Sequence, residues 1–173
     1  LLLDLTLDET DLRRIRVKAV LAHDDQDGIE VLLQAEGCTL GLSDAGAHVG
    51  QLCDAPLATD LLGTWVRDKG VLTLEDAVHK LTQVQAELFG FHDRGVLAPG
   101  FVADVVVFDP ATVAPGPLRR VRDFPADAER LTADQPTGMR HLLVNGVPVI
   151  DDGALRPDAV AGRPGVLVRP GAR

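Results

Sequence analysis

Apolar positions are spaced like helix faces before about residue 90 and like strands after it. Leu1–Arg16 sets Leu1, Leu5 and Leu12 among acidic residues and reads as a weak helix followed by a turn. Val17–Ala22 is a short β-prone run that stops at the polar cluster His23-Asp24-Asp25. Gly28–Ala35 has the pattern of a short helix that ends at Gly37. Cys38–Leu42 is a second short apolar run, and it delivers Ser43-Asp44-Ala45-Gly46-Ala47-His48 at its carboxyl end. Strands of α/β folds present catalytic groups at their carboxyl ends, and here an apolar run hands over a polar cluster twice.

Two helices follow. Asp54 is placed to cap one that starts near Pro56 and ends at Gly70, with Leu57, Leu61 and Trp65 on one face. Thr73 and Asp76 form a capping-box pattern ahead of Leu74, Ala77, Val78, Leu81, Val84 and Leu88, and Gly90 stops that helix. His79 lies off the apolar stripe and reads as solvated. Beyond Gly95, Pro99-Gly100 marks a turn and Val102–Phe108 a buried strand. Asp109–Pro136 contains five prolines and many charges and reads as an irregular surface excursion. His141–Val144 and Val147–Ile150 flank Asn145-Gly146, a type I′ hairpin signal, with Pro148 marking the second arm as an edge. The tail from Gly153, rich in Gly, Pro and Arg, reads as a surface drape.

The charge balance narrows the function. Asp and Glu total 26 against 17 Lys and Arg, a net charge of −9 that disfavours nucleic acid or an anionic membrane as partner. Aromatic residues are 3% of the chain with no Tyr, too few for base-stacking platforms. Apolar runs such as Val105–Phe108 are far too short to span a bilayer, and no secretory pattern opens the sequence. Cys38 and Cys53 make neither a disulfide framework nor a paired zinc motif and read as free thiols in a reducing cytoplasm. The chain opens on Leu1 rather than Met, so further sequence upstream is expected.

Ser43–His48 is the sharpest chemical cluster. An Asp at a strand end, followed by small residues and a His, can hold a metal ion or take a proton from metal-bound water. The same residues also make a good turn with a helix-capping Asp. Ser43 does not fit a nucleophile elbow, because Ala45 stands where that motif needs Gly. His23-Asp24-Asp25 suits a ligand-contacting loop or, alternatively, a helix start with Asp25 or Asp27 at its N-terminus. His48 and Cys53 together supply only two ligands of the four a zinc site needs. His92 and Asp93 read as solvated, and His141 as a satisfied surface histidine.

Gly95–Asp109 (GVLAPGFVADVVVFD) resembles the G-x-L-x-x-G-x-x-A-D-h-h-h-h-D signature near the end of amidohydrolase superfamily proteins. His141–Gly153 (HLLVNGVPVIDDG) resembles the hairpin that follows it, and Gly41–His48 (GLSDAGAH) resembles the segment after the last barrel strand in the D-aminoacylase branch, the N-acyl-D-amino-acid deacylases. The resemblance runs from about Val17 to the C-terminus. It implies an α/β fold: the C-terminal portion of a (β/α)8 metal-dependent hydrolase barrel plus strands of a small β-sandwich. Residues 1–93 would be the last β/α units and residues 94–173 the sandwich strands and tail.

The resemblance also implies the chemistry. Asp44 matches the family's catalytic aspartate, which binds or faces zinc, activates water and protonates the leaving amine. Ser43 and His48 become substrate-contacting candidates, and Asp24 and Asp25 weaker pocket candidates. The substrate would be an N-acyl-D-amino acid or a related linear amide. A cyclic-amide hydrolase of the dihydroorotase or hydantoinase kind, and a non-catalytic assembly module, are the alternatives. No His-x-His pair occurs among His23, His48, His79, His92 and His141, so most zinc ligands are expected upstream of Leu1. A whole barrel needs about 250 residues. The chain alone is therefore expected to be inactive, and to self-associate through barrel strands that lack neighbours.

Overall fold

A computed structural model describes residues 25–43 and 45–169. Leu1–Arg16 and Val17–Ala22, read above as helix and strand, lie outside the described residues. The architecture is α/β: short helices first, then antiparallel sheets. The chain divides into two compact units between Leu32 and Leu33, and the first helix, α1 (Gln26–Gln34), crosses that division. It begins as the sequence suggests, with Asp27 in its first turn and Ile29 N–H donating to the Asp25 carbonyl at 3.1 Å. It closes before Gly37, whose φ of +77° favours a residue without a side chain.

Cys38–Leu42 is not a strand. The segment is irregular, and the side chains of later helices take up its backbone groups. Lys80 Nζ donates to the Cys38 carbonyl at 3.1 Å, and Gln85 Nε2 donates to the Leu40 carbonyl at 3.0 Å and to Thr39 Oγ1 at 2.8 Å. β propensity alone cannot make a strand where, among the described residues, no neighbouring strand offers a ladder.

The next helix, α2 (Leu57–Asp60), widens into a π-helical stretch over Leu61–Asp68. Pro56, not Asp54, is its N-cap residue, and Asp54 contributes only its backbone carbonyl, to Leu57 N–H at 3.3 Å. The wider winding breaks the four-residue stripe: Leu61, Leu62 and Gly63 are buried while Leu57 is exposed. The predicted long helix after Thr73 is two helices, α3 (Leu74–Leu81) and α4 (Gln83–Leu88), broken at Thr82 (φ −124°, ψ −83°). Its start is as read: Thr73 Oγ1 accepts Asp76 N–H at 3.0 Å and donates to Asp76 Oδ2 at 2.7 Å. Thr73→Ala is expected to lower stability by about 1 kcal/mol, seen as a lower urea midpoint at unchanged slope. His79 is exposed, as expected.

Ala98, Pro99, Gly100 and Phe101 form the predicted turn, with Gly100 at φ +87° and Phe101 N–H donating to the Ala98 carbonyl at 3.1 Å. β1 (Val105–Phe108) follows, shorter than predicted and only half-buried, with Val106 51% and Val107 42% exposed. It pairs antiparallel with β4 (Met139–Val144), which turns through Asn145 (φ 50°) and Gly146 (φ 78°) into β5 (Val147–Asp151). A two-residue β6 (Ala154–Leu155) covers the end of β5, so β5 is an edge only around Pro148. The tail is correspondingly more ordered than a drape: β6 leads into a short helix, α5 (Pro157–Ala161).

Asp109–Pro136 departs most from expectation. It holds a separate two-stranded hairpin, β2 (Arg119–Phe124) and β3 (Ala128–Thr132), joined by a turn in which Ala126 and Asp127 have positive φ. It also supplies Val113, the most completely buried large side chain among the described residues. Val113 packs in a core with Leu61, Leu62, Leu72 and Ala77, so the excursion between β1 and β2 plugs into the helices. Arg67 Nη1 donates to the Val113 carbonyl at 2.6 Å. A Cβ on Gly63 would lie 2.7 Å from that same oxygen.

Candidate functional site

Asp44, His23 and Asp24 lie outside the described residues. Ser43 and His48 are described, on the loop that continues from the irregular Cys38–Leu42 segment. Ser43 is half-buried, and its Oγ accepts the Ala45 N–H at 3.3 Å, a local turn bond that starts the loop. Residues 45–51 wind as consecutive turns. His48 sits at φ +47°, exposed, and its carbonyl accepts both Gln51 N–H at 2.7 Å and Leu52 N–H at 3.0 Å. A non-glycine residue in the left-handed region costs on the order of 1 kcal/mol, and the paired bonds at its carbonyl offset that. The loop's exposed imidazole is thus fixed by its backbone, while its ring stays free of protein partners among the described residues.

Asp25 takes the plainer of its two roles. It precedes α1, and its carboxylate folds back over Gly28, where an added Cβ would lie 2.8 Å from Oδ2. Cys38 and Cys53 are free thiols. Among the described residues no three His, Cys, Asp or Glu side chains converge as a metal site requires, so His48 and Cys53 do not grow into one. The residues described therefore do not fit zinc by themselves. An open groove of about 420 Å³ beside Gln34, Val71, Thr73 and Lys80 is lined by none of the predicted site residues.

Two of the sequence's prominent acids are structural. Asp104 Oδ1 accepts Asn145 N–H at 2.8 Å and its Oδ2 accepts Arg94 Nη1 at 3.0 Å, which ties the β4–β5 turn to the loop before β1. The Ala111 backbone N–H and the Thr112 hydroxyl hold the Asp109 carboxyl below the ordinary carboxylate range. His141 is satisfied, its Nδ1 lying 3.0 Å from Asp151 Oδ1.

The β2–β3 hairpin carries a ladder of ion pairs. Arg130 binds Asp123 through Nε and Nη2, both at 2.7 Å, Arg119 meets Asp134 at 2.6 Å, and Arg122 spans Asp127 and Glu129. Hydrogen bonds from Arg130 and Arg119 hold the Asp123 and Asp134 carboxyls low. Exposed pairs of this kind add little stability one by one, but a cross-strand series fixes the register of a short hairpin. The hairpin also reaches the candidate loop. Leu131 N–H donates to the Val49 carbonyl at 2.7 Å, and Arg120 Nη2 donates to the Gly50 carbonyl at 3.2 Å. Sequence reasoning missed this contact, although basic Arg119, Arg120 and Arg122 followed by acidic Asp127, Glu129 and Asp134 are a signal for paired strands.

The model of the Amidohydrolase family matches residues 13–150, and the chain belongs to that family. Within it, the sequence is 38% identical over 154 residues to N-acyl-D-glutamate deacylase of Alcaligenes xylosoxydans xylosoxydans, covering 84% of this chain and 27% of that protein. It is 41% identical over 93 residues to D-aminoacylase of the same organism, covering 51% of this chain and 16% of the relative. A crystal structure of D-aminoacylase matches 57% of this chain and 19% of its own at 39% identity, with a TM-score of 0.44. The amidohydrolase family expected from the sequence is therefore the right one, and the relatives it is similar to are of the D-aminoacylase kind expected from Gly41–His48. The chain spans about a quarter of the length of the first of these relatives. No helix among the described residues is long and apolar enough to cross a membrane.

Proposed function

We propose that this chain is the C-terminal part of a cytoplasmic, zinc-dependent amidohydrolase that cleaves the amide bond of N-acyl-D-amino acids. In this reading residues 1–93 are the last β/α units of a (β/α)8 barrel and residues 94–173 are β-sandwich strands and tail. The observation that carries it is the 38% identity to a deacylase of N-acyl-D-glutamate across 84% of the chain. Asp44 is the catalytic residue. Its carboxylate takes a proton from the attacking water as the water oxygen bonds to the amide carbon. It then gives that proton to the leaving nitrogen as the C–N bond breaks, releasing a carboxylate and a free D-amino acid. Ser43 and His48 flank it as substrate contacts. By the same reading the 173 residues alone neither hydrolyse amides nor remain monodisperse.

The test is to isolate the native polypeptide from its source cells by antibody capture, measure its mass, and assay it on N-acetyl-D-glutamate, N-acetyl-D-aspartate and their L forms. A species well above 18.4 kDa that releases amino acid from the D forms is the expected result. A native species at 18.4 kDa that hydrolyses none of them would overturn the proposal.

A further inference from the structure

We infer that the β2–β3 hairpin is a clamp on the loop that follows Asp44, and that Arg120 is a positioning residue for the proposed hydrolysis. Arg120 and Leu131 are direct cross-strand partners, and between them they hold two consecutive carbonyls of that loop. The Leu131 N–H takes the Val49 carbonyl at 2.7 Å and the Arg120 guanidinium takes the Gly50 carbonyl at 3.2 Å. Those carbonyls follow His48 directly in sequence, and the His48 carbonyl is itself fixed by the Gln51 and Leu52 amides. Four hydrogen bonds thus pin four consecutive positions, His48 through Gln51, plus Leu52.

The anchor is firm where it needs to be. Leu131 and Thr132 are buried, so the end of β3 beside the loop is rooted in packed structure. Arg120 is also turned toward Glu129, with Nη1 3.7 Å from Oε2, which orients the guanidinium before it meets Gly50. Arg122, two residues along the same strand, spends its donors inside the hairpin on Asp127 and Glu129 and does not reach the loop. It is the natural control. A catalytic loop displaced by as little as an ångström loses rate, and because His48 is a proposed substrate contact on the same loop, a clamp of this kind acts on kcat and KM together.

The inference rests on the reading of Asp44 as catalytic, and two independent readouts in the native polypeptide separate them. The first is hydrogen exchange of the Gln51 and Leu52 amides. Arg120→Ala should speed it roughly three- to tenfold, the size of a lost charge-assisted bond at a partly exposed site. The second is kinetics with an N-acyl-D-amino acid. Arg120→Ala should lower kcat/KM roughly ten- to a hundredfold, through kcat and KM together. Arg120→Lys, which keeps a donor for Gly50, should recover part of both effects, and Arg122→Ala should show neither. Unchanged exchange in Arg120→Ala overturns the clamp. Faster exchange with unchanged kcat/KM overturns the positioning role while leaving the proposed function standing. If Asp44→Asn retains full activity, the reading of Asp44 fails instead, whatever Arg120→Ala does to exchange.

Discussion

Asp44→Asn in the native polypeptide is expected to lower kcat on an N-acyl-D-amino acid by about 10²–10⁴-fold, with little change in KM. The substitution keeps the size and shape of the side chain and removes only its ability to accept and return a proton. Amide nitrogen is a poor leaving group until it is protonated, so losing the shuttle affects both the attack and the collapse of the intermediate. A substitution that acted through folding would lower the melting temperature as well, and the nearly isosteric Asp44→Asn is expected to leave it within a degree or two. Retained turnover at a normal melting temperature would show that the proton is carried by another group. Ser43 then becomes no better a candidate, because Ala45 stands where a nucleophile elbow needs Gly.

Gly138→Ala is expected to cost about 4 kcal/mol of stability. Gly138 has φ +71°, and an added Cβ would lie 2.6 Å from Val113 Cα and 2.7 Å from the Thr112 carbonyl carbon. Both neighbours are backbone and belong to the segment that drives Val113 into the core, so neither can step aside cheaply. The Gly138 carbonyl also accepts Asp109 N–H at 2.8 Å, which anchors the end of β1 to the start of β4. Gly100→Ala makes the comparison: φ is +87° but nothing lies within 4 Å of the added carbon. Only conformational strain remains there, at about 1 kcal/mol. Urea titration of the two variants should therefore separate them widely, and equal losses would mean that Val113 is not held against Gly138.

The local features legible in the sequence were those decided by a few adjacent residues. Thr73 and Asp76 announce a helix start because the hydroxyl and the amide it caps are three residues apart. Asn145-Gly146 announces a hairpin because both residues tolerate positive φ, and Pro99-Gly100 announces a turn for the same local reason. Family membership was also legible, since Gly95–Asp109 and Gly41–His48 are contiguous strings. The structure gives part of that signature a physical meaning: the Asp104 carboxylate accepts the Asn145 N–H of the β4–β5 turn, and the Asp109 carboxylate accepts the Ala111 N–H in the turn after β1.

What the sequence could not decide was anything that depends on a partner far along the chain. Cys38–Leu42 has the composition of a strand, yet its backbone is held by Lys80 and Gln85, more than forty positions away. Leu57, Leu61 and Trp65 share a face only on a regular α-helix, and the π-helical stretch that separates them accommodates Val113, which packs there from beyond β1. Five prolines made Asp109–Pro136 look irregular, but cross-strand arginine and carboxylate pairs give it a register, and one face of that hairpin meets the loop after His48. The sequence by itself determined the Pro99-Gly100 and Asn145-Gly146 turns, the Thr73 cap and the family, because each is settled by neighbours in the chain. Tertiary structure alone decided which apolar runs are ladders and what holds the candidate loop, because a hydrogen-bond partner or a core contact exists only once the chain has folded.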